Sequence, residues 1–302
     1  MSVDVFAENR PLLFSVAYRM TGSVADAEDI VQDAWLRWSA TDPASVRAPV
    51  GYLVKTVTNL ALNELTSARA RRETYVGPWL PEPLLSTGSV AGPVSAGPYR
   101  PTEPGEEIEM AESVSFAMLV VLESLSPLER AVFVLGDVFG YEHAEIASMI
   151  DREPAAVRQL AHRARQHVQS RRPRFPTDDV TKAEVVARFR DACAGGDLAA
   201  VMQLLAPDVT VWSDGGGKVT AARRPITGAD KVARWLLGVL AKPDTAGMDV
   251  ELASINGEVA LLGTFGGVVA GSLHAEVDGG RITALRMVLN PDKLGGLGPN
   301  RP

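Results

Sequence analysis

The chain has 302 residues, 46% of them apolar, with a formal charge of −7 and a single cysteine, Cys193. That length allows two or three domains with sizeable cores, and one cysteine excludes both a disulfide framework and a cysteine-rich zinc site. No apolar run reaches the roughly 18–20 residues of a membrane span, and the opening MSVDVFAENR lacks the apolar stretch of a signal peptide. A reducing cytoplasm is the expected compartment.

Residues 8–75 read as helices. Leu13, Val16, Ala17 and Met20 share one helical face. Gly22 ends that helix, and Ser23 with Asp26 caps the next, whose stripe is Val31, Ala34, Trp35 and Trp38. After the loop SATDPASVRAP, a third helix turns Leu53, Val57 and Leu60 inward and ends in the basic run RARR. Residues 77–105 carry twelve prolines and glycines among 29 positions and read as a linker. Within it, WLPEPLL is apolar enough to predict docking on a folded domain. Helices resume near Ala111. Ser126-Pro127-Leu128-Glu129 combines an N-cap, a proline at the first helical position and a reciprocal glutamate. A short helix with Ile146 and Ile150 inward then precedes a long one from Pro154, with Val157, Leu160, Ala161, Ala164 and Val168 on one face. This is helix-turn-helix spacing.

Beyond residue 178 two short helices are expected at 181–194 and 197–205, the second capped by Asp197. From Val209 the pattern is that of strands. Asn256-Gly257 predicts a two-residue hairpin, and Asp278-Gly279-Gly280 a second turn between alternating segments. One helix between them is expected to be capped by Thr227 with Asp230 and to bury Val232, Trp235 and Leu236. Helices followed by a curved antiparallel sheet make an α+β domain. Cys193 reads as a small core residue.

Charge is unevenly placed. Residues 152–174 hold seven arginines against Glu153 alone, whereas 76–123 hold seven glutamates and one arginine. A basic stripe on an acidic chain points to localised nucleic-acid contact. On the second helix of the motif, Arg158, Gln159, His162, Arg163 and Arg165 point away from the apolar face, with donors suited to base edges and phosphates.

The segment SDGGGK (213–218) raises a phosphate-loop reading. That motif needs two glycines with four residues between them, then Lys-Ser/Thr entering a helix. Here the glycines are contiguous, Val219 follows Lys218, and VTVW and VTAARR read as flanking strands. The expected element is a strand-to-strand loop.

RPLLFSVAYRMTGSVADAEDIVQDAWLRWSA, YLVKTVTNLALNELTSARARRE and LSPLERAVFVLGDVFGYEHAEIASMIDREPAAVRQLAHRARQHV together resemble an extracytoplasmic-function (ECF) RNA polymerase sigma factor, over about residues 8–170. The remaining third resembles a SnoaL-like (nuclear-transport-factor-like) cone domain. WLPEPL, DGGGK and NPDKL resemble the signatures of the sigma subgroup that carries this extension. The implied fold is multidomain. An all-α sigma region 2 spans 1–76, a linker 77–108, and an all-α region 4 with the helix-turn-helix 109–174. The α+β cone spans 179–294 and a tail 295–302.

The resemblance implies roles by position. Asp26, Asp29, Gln32, Asp33 and Trp35 are candidate contacts to core RNA polymerase. Asn59 and Asn63, with Arg69, Arg71 and Arg72 as a basic track, are candidates for the −10 element, where flipped bases need polar edge readers. The recognition helix would read the −35 element, although Ala155 and Ala156 stand where the family usually has polar residues or glycine. Trp79, Leu80, Pro81, Glu82 and Pro83 of the linker, Asp214, Gly215, Gly216, Gly217 and Lys218 of the loop, and Asn290, Pro291, Asp292, Lys293 and Leu294 are candidates for contacts that regulate in cis. A pairing of Lys293 with Glu82 is one expectation.

Promoter DNA and core polymerase are the expected partners of a free monomer, with no membrane, metal, cofactor or catalytic residue. Relatives of the cone fold include enzymes, which makes Asp208, Trp212, Asp214, His274, Glu276 and Asp278 candidate pocket residues. Two other readings stay open on the residues. One is a one-component helix-turn-helix regulator with a ligand-sensing domain; the other is an enzyme with a DNA-binding tether.

Overall fold

The structure is a computed structural model describing residues 2–86, 115–171 and 177–298, without the side chains of 2–4, 43 and 68–73. The chain forms two compact units. One holds residues 2–73 and 118–171; the other holds 74–86, 115–117 and 177–298.

In the first unit, α1 (Ser2–Thr21), α2 (Val24–Ser39) and α3 (Pro49–Glu73) pack on one another. Helix α1 begins six residues before the periodicity indicates. The extra turns bring Phe6 against Trp35, ring centroids 5.0 Å apart, so a tertiary contact holds them. Gly22 takes φ +69, and its N–H returns to the Tyr18 carbonyl at 2.7 Å, closing α1. Ser23 Oγ then accepts from Asp26 N at 3.2 Å and opens α2. Leu13, Val16, Ala17, Met20, Val31, Ala34, Trp38, Leu53 and Val57 are all buried.

The same unit continues with α4 (Phe116–Glu123), whose first two residues are counted in the second unit, and α5 (Pro127–Phe133). Ser126 and Glu129 form the reciprocal capping box at the start of α5. A π-helical turn, Val134–Val138, precedes α6 (His143–Met149) and α7 (Pro154–Arg171). Helix α7 buries Val157, Leu160, Ala161, Ala164 and Val168, the face read from the sequence. Full burial of each Val or Leu there contributes about 1.5–3 kcal/mol.

The second unit has α8 (Asp179–Ala194), α9 (Leu198–Leu204), β1 (Leu205–Asp214), β2 (Ile226–Thr227) and α10 (Ala229–Leu240). Four strands follow: β3 (Asp249–Ile255), β4 (Glu258–Phe265), β5 (Val268–Asp278) and β6 (Arg281–Val288). The sheet order is β2-β1-β6-β5-β4-β3. All neighbours are antiparallel except β1 and β6, which run parallel. Helices α8, α9 and α10 place Val185, Phe189, Val201, Leu204, Val232 and Leu236 in one core with Val209, Val211, Val277 and Leu285 of the strands. Cys193 packs against this core, and burial pushes its thiol up to about 11.

Asn256 and Gly257 take φ +53 and +70 in the β3–β4 turn, the conformation expected for a two-residue hairpin. Sequence expectations change in three places, the first being the parallel pairing of β1 with β6 in a sheet expected to be antiparallel. The N-cap of α10 is Gly228 at φ +103 rather than Thr227, because Thr227 pairs with Thr210 in the sheet. VTAARR (219–224) forms no strand; β2 is confined to Ile226–Thr227, and the preceding residues form a loop beside Ser213.

Candidate functional site

Helix α2 turns Asp29, Gln32 and Asp33 to solvent at helical spacing, with Asp26 and Trp35 half-buried beside them. Leu36 continues this face and is 57% exposed, an apolar residue that neither charge nor aromatic character marks in the sequence. On α7, Arg158, Gln159, His162, Arg163 and Arg165 are all exposed. Two of them are tied within the unit: Arg163 Nε lies 3.6 Å from Glu129, and Arg165 Nε 2.7 Å from Asp137. Both partners sit on neighbouring elements, so no local pattern on α7 announces them.

The two halves of the first unit meet at α3. Asn59 Nδ2 donates to the Met149 carbonyl at 3.2 Å. Lys55, one helical turn earlier, donates to the Ser148 carbonyl at 2.7 Å and to Asp151 Oδ1 at 3.1 Å. Asp151 sits at φ +51 in the turn between α6 and α7, a conformation aspartate tolerates better than most residues. Arg130, 2% exposed, donates to the Met20 carbonyl at 2.6 Å and satisfies the C-terminal end of α1. Asn63 is exposed. The side chains of Arg69, Arg71 and Arg72 lie outside the described residues.

In the second unit, Asp214 closes β1 and is fully buried. Its Oδ1 accepts from Tyr75 Oη at 2.6 Å and Gly216 N at 3.1 Å. Its Oδ2 accepts from Leu80 N at 2.8 Å and Lys293 Nζ at 2.8 Å. Lys293 also donates to the Leu80 carbonyl at 2.5 Å and lies 4.0 Å from the centre of the Trp79 ring. Lys293 is thus paired with Asp214, which the sequence separates from it by 79 residues. Asn290 Nδ2 donates to Tyr75 Oη at 2.9 Å. Burial and the adjoining Asp214 raise the tyrosine's pKa, so it stays a protonated donor.

The apolar segment runs on from Leu80, with Pro81 and Pro83 buried. Leu84 and Asn256 exchange hydrogen bonds of 2.8 and 3.1 Å, and Leu85 N donates to the Gly296 carbonyl at 3.0 Å. Gly216, at φ +59, faces Asn290 so closely that an added Cβ would lie 2.6 Å from its Cγ. Asp292 and Lys218 form an exposed pair at 2.5 Å.

The cone's interior candidates are dispersed. Asp208 is exposed. Glu276 pairs with Arg286 at 2.5 Å, and Arg286 lies over the Trp212 ring. His274 is buried, with Nε2 3.0 Å from Ser272 Oγ and its face stacked on Phe116, centroids 3.7 Å apart. Desolvation, aided by Lys182 and Arg286, lowers its pKa to about 3, so the ring is neutral.

Residues 5–71 match the family model Sigma-70 region 2, and 115–168 match Sigma-70, region 4. The chain is 42% identical to the ECF RNA polymerase sigma factor SigJ of Mycobacterium tuberculosis, over 98% of this chain and 94% of that protein. The chain belongs to the ECF RNA polymerase sigma factors. This sigma factor is also 29% identical to the probable ECF sigma factor SigI of the same species, over 95% and 92% of the two chains. The crystal structure of M. tuberculosis SigJ superposes with TM-score 0.75 at 38% identity, covering 99% of this chain and all of that one. Sigma regions 2 and 4 therefore lie in the first unit, apart from residues 115–117, and the second is a domain of helices packed on a six-stranded sheet. Sigma factors are a non-enzymatic class that gives RNA polymerase its promoters, and the one-component regulator is not favoured. Among the described residues no helix is long and apolar enough to cross a membrane.

Proposed function

We propose that this sigma factor meets core polymerase through Asp26, Asp29, Gln32, Asp33 and Trp35 and reads the −10 element through Asn59 and Asn63. Arg69, Arg71 and Arg72 track the strand there. Arg158, Gln159 and His162 read the −35 element, with Arg163 and Arg165 on its phosphates. The protein works in the cytoplasm as a monomer until it meets polymerase, and the cone domain sets its output in cis by holding the linker.

The observation that carries the cis role is the buried Asp214–Lys293 pair with the main chain of Leu80 clasped between them. Two charges are buried, and the linker's Leu80 supplies a main-chain N–H to one and a carbonyl to the other, so release of the linker removes a hydrogen bond from each. A second observation supports a closed free form. Elements named −35 and −10 lie roughly 25 base pairs apart, or roughly 85 Å along straight B-DNA at 3.4 Å per step. Asn59 and Met149, from the two reading regions, are 3.2 Å apart. Promoter engagement therefore requires this pairing to open, and a held linker limits how far it opens.

Transcription reconstituted from sigma-free core polymerase and a promoter library tests the reading. Start-specific transcripts are expected, with output altered by the Trp79→Ala, Leu80→Ala double variant. Unchanged output together with unchanged cleavage of the linker would remove the cis role.

A further inference from the structure

The glycine-rich loop encloses a cavity that the linker grip does not use. Its volume is about 350 Å³, at the small end of ligand sites, which run from about 300 to 1,000 Å³. Val76 and Gly77 form one wall, and Ser213, Gly215, Gly217 and residues 218–223 form the rest. The charged residues among them are Lys218 and Arg223, both cations, in a chain of net charge −7. The nearby carboxylates are already engaged. Asp214 is bonded to Lys293, Tyr75 and two main-chain N–H groups, and Asp292 pairs with Lys218. Ser213 is 1% exposed, and its Oγ has no hydrogen-bond partner. A buried hydroxyl without a partner costs about 1–3 kcal/mol, so an acceptor supplied at this wall is favoured.

We propose that this cavity binds a small phosphate-type anion, inorganic phosphate or a phosphate monoester no larger than a nucleoside monophosphate. Ser213 and Thr220 bring hydroxyl side chains to the lining, and Arg223 supplies positive charge at the rim beside Lys218, which is shared with Asp292. A glycine at 217 admits this arrangement, because a Cβ there would meet Val76 Cβ at 3.2 Å. At 77 a Cβ would meet Arg223 Cα at 3.7 Å. The anion therefore touches loop and linker together, next in sequence to Asp214 and two residues from Tyr75. Occupancy tightens the linker's attachment and makes promoter output responsive to the ligand. That regulatory half rests on the linker grip proposed above; the binding half rests on the cavity alone.

The test uses the full-length protein. Inorganic phosphate, adenosine monophosphate and uncharged adenosine are titrated by calorimetry at constant ionic strength, with chymotryptic cleavage of the linker followed alongside. Saturable binding of phosphate or the monophosphate, but not of adenosine, is expected, together with slower cleavage. Arg223→Ser and Ser213→Ala should each weaken binding, the first by about tenfold or more, as loss of a charge-assisted hydrogen bond implies. No saturable binding of either anion, or the same affinity in Arg223→Ser, overturns the site. Binding only of a promoter-free DNA duplex overturns it as well. Anion binding that leaves cleavage unchanged overturns the coupling, and with it the ligand-responsive role, while the Trp79/Leu80 variant tests the grip by itself.

Discussion

Replacing Lys293 with methionine tests the buried ion pair most directly. The substitution keeps most of the side chain's volume and removes the ammonium. Asp214 is then left fully buried with three neutral donors, Tyr75 Oη, Leu80 N and Gly216 N. Leaving one member of a buried pair uncompensated costs about 3–5 kcal/mol. A domain of this size shifts by about 4 °C per kcal/mol, so a fall of about 12–20 °C in the melting temperature of the cone is expected. The linker should also loosen, because Lys293 Nζ holds the Leu80 carbonyl and faces the Trp79 ring. Chymotrypsin, which cuts after aromatic residues and leucine, reads that loosening within 74–86. The double variant Asp214→Asn, Lys293→Met removes both charges and should recover most of the loss, since replacing a buried pair by neutral groups is often close to neutral. Urea and thermal unfolding of the three proteins, with cleavage rates, form the assay. A Lys293→Met protein within 1 kcal/mol of wild type, or a double variant no better than the single one, would refute the reasoning.

Acid should weaken the cone through His274. Its folded pKa is about 3 against about 6.5 unfolded, so below pH 6.5 the unfolded chain takes up a proton that the folded one refuses. Stability from this group is present above pH 6.5 and falls by about 1.4 kcal/mol per unit as pH drops toward 3, or about 2 kcal/mol between pH 6.5 and 5. His274→Gln should lose that slope in urea titrations at pH 7 and pH 5; an identical slope would mean other groups set it. Arg158→Ala should weaken −35 recognition by about 1–3 kcal/mol and relax base preference, whereas Arg165→Ala should weaken all sequences alike and reduce the salt slope. Equal effects of the two on sequence preference would erase the distinction between base and phosphate contacts. Lys55→Glu should favour the open form, because it places a carboxylate against Asp151 and the Ser148 carbonyl. The exposed pair it breaks is worth less than about 1 kcal/mol, so stability should barely change. The expected readout is greater binding of a −10/−35 fork by the free protein; unchanged binding would mean that the closed pairing does not limit access.

Local chemistry wrote much of this protein into its sequence. The Ser126–Glu129 capping box, the buried stripe of α7 and the Asn256-Gly257 hairpin each depend on residues within one or two turns, and each formed where the spacing indicated. Order of motif along the chain was enough to separate sigma regions from cone. Thr227 shows the limit. A good capping residue became a strand residue because Thr210, 17 positions away, offered it a partner, and Gly228 at φ +103 took over the cap.

The sites followed the same division. Exposure of Arg158, Gln159 and His162 follows from helical period alone, and so does the acidic face of α2. The partners of Arg163 and Arg165, the carbonyls that receive Lys55 and Asn59, and the closure around Asp214 come from elements dozens to hundreds of residues apart. Tyr75 had no local signal at all, standing just past a basic helix end. SDGGGK shows both levels at once. Its sequence was sufficient to exclude the strand-to-helix motif that cradles nucleotide phosphates, because the spacing is wrong. Only the fold decided that its aspartate is buried against Lys293, that Gly216 has room for no side chain, and that the Ser213 hydroxyl is buried without a hydrogen-bond partner. The reason is physical: turns and caps are settled by neighbours in sequence, whereas burial of a charge or a hydroxyl is settled by whatever the rest of the chain brings against it.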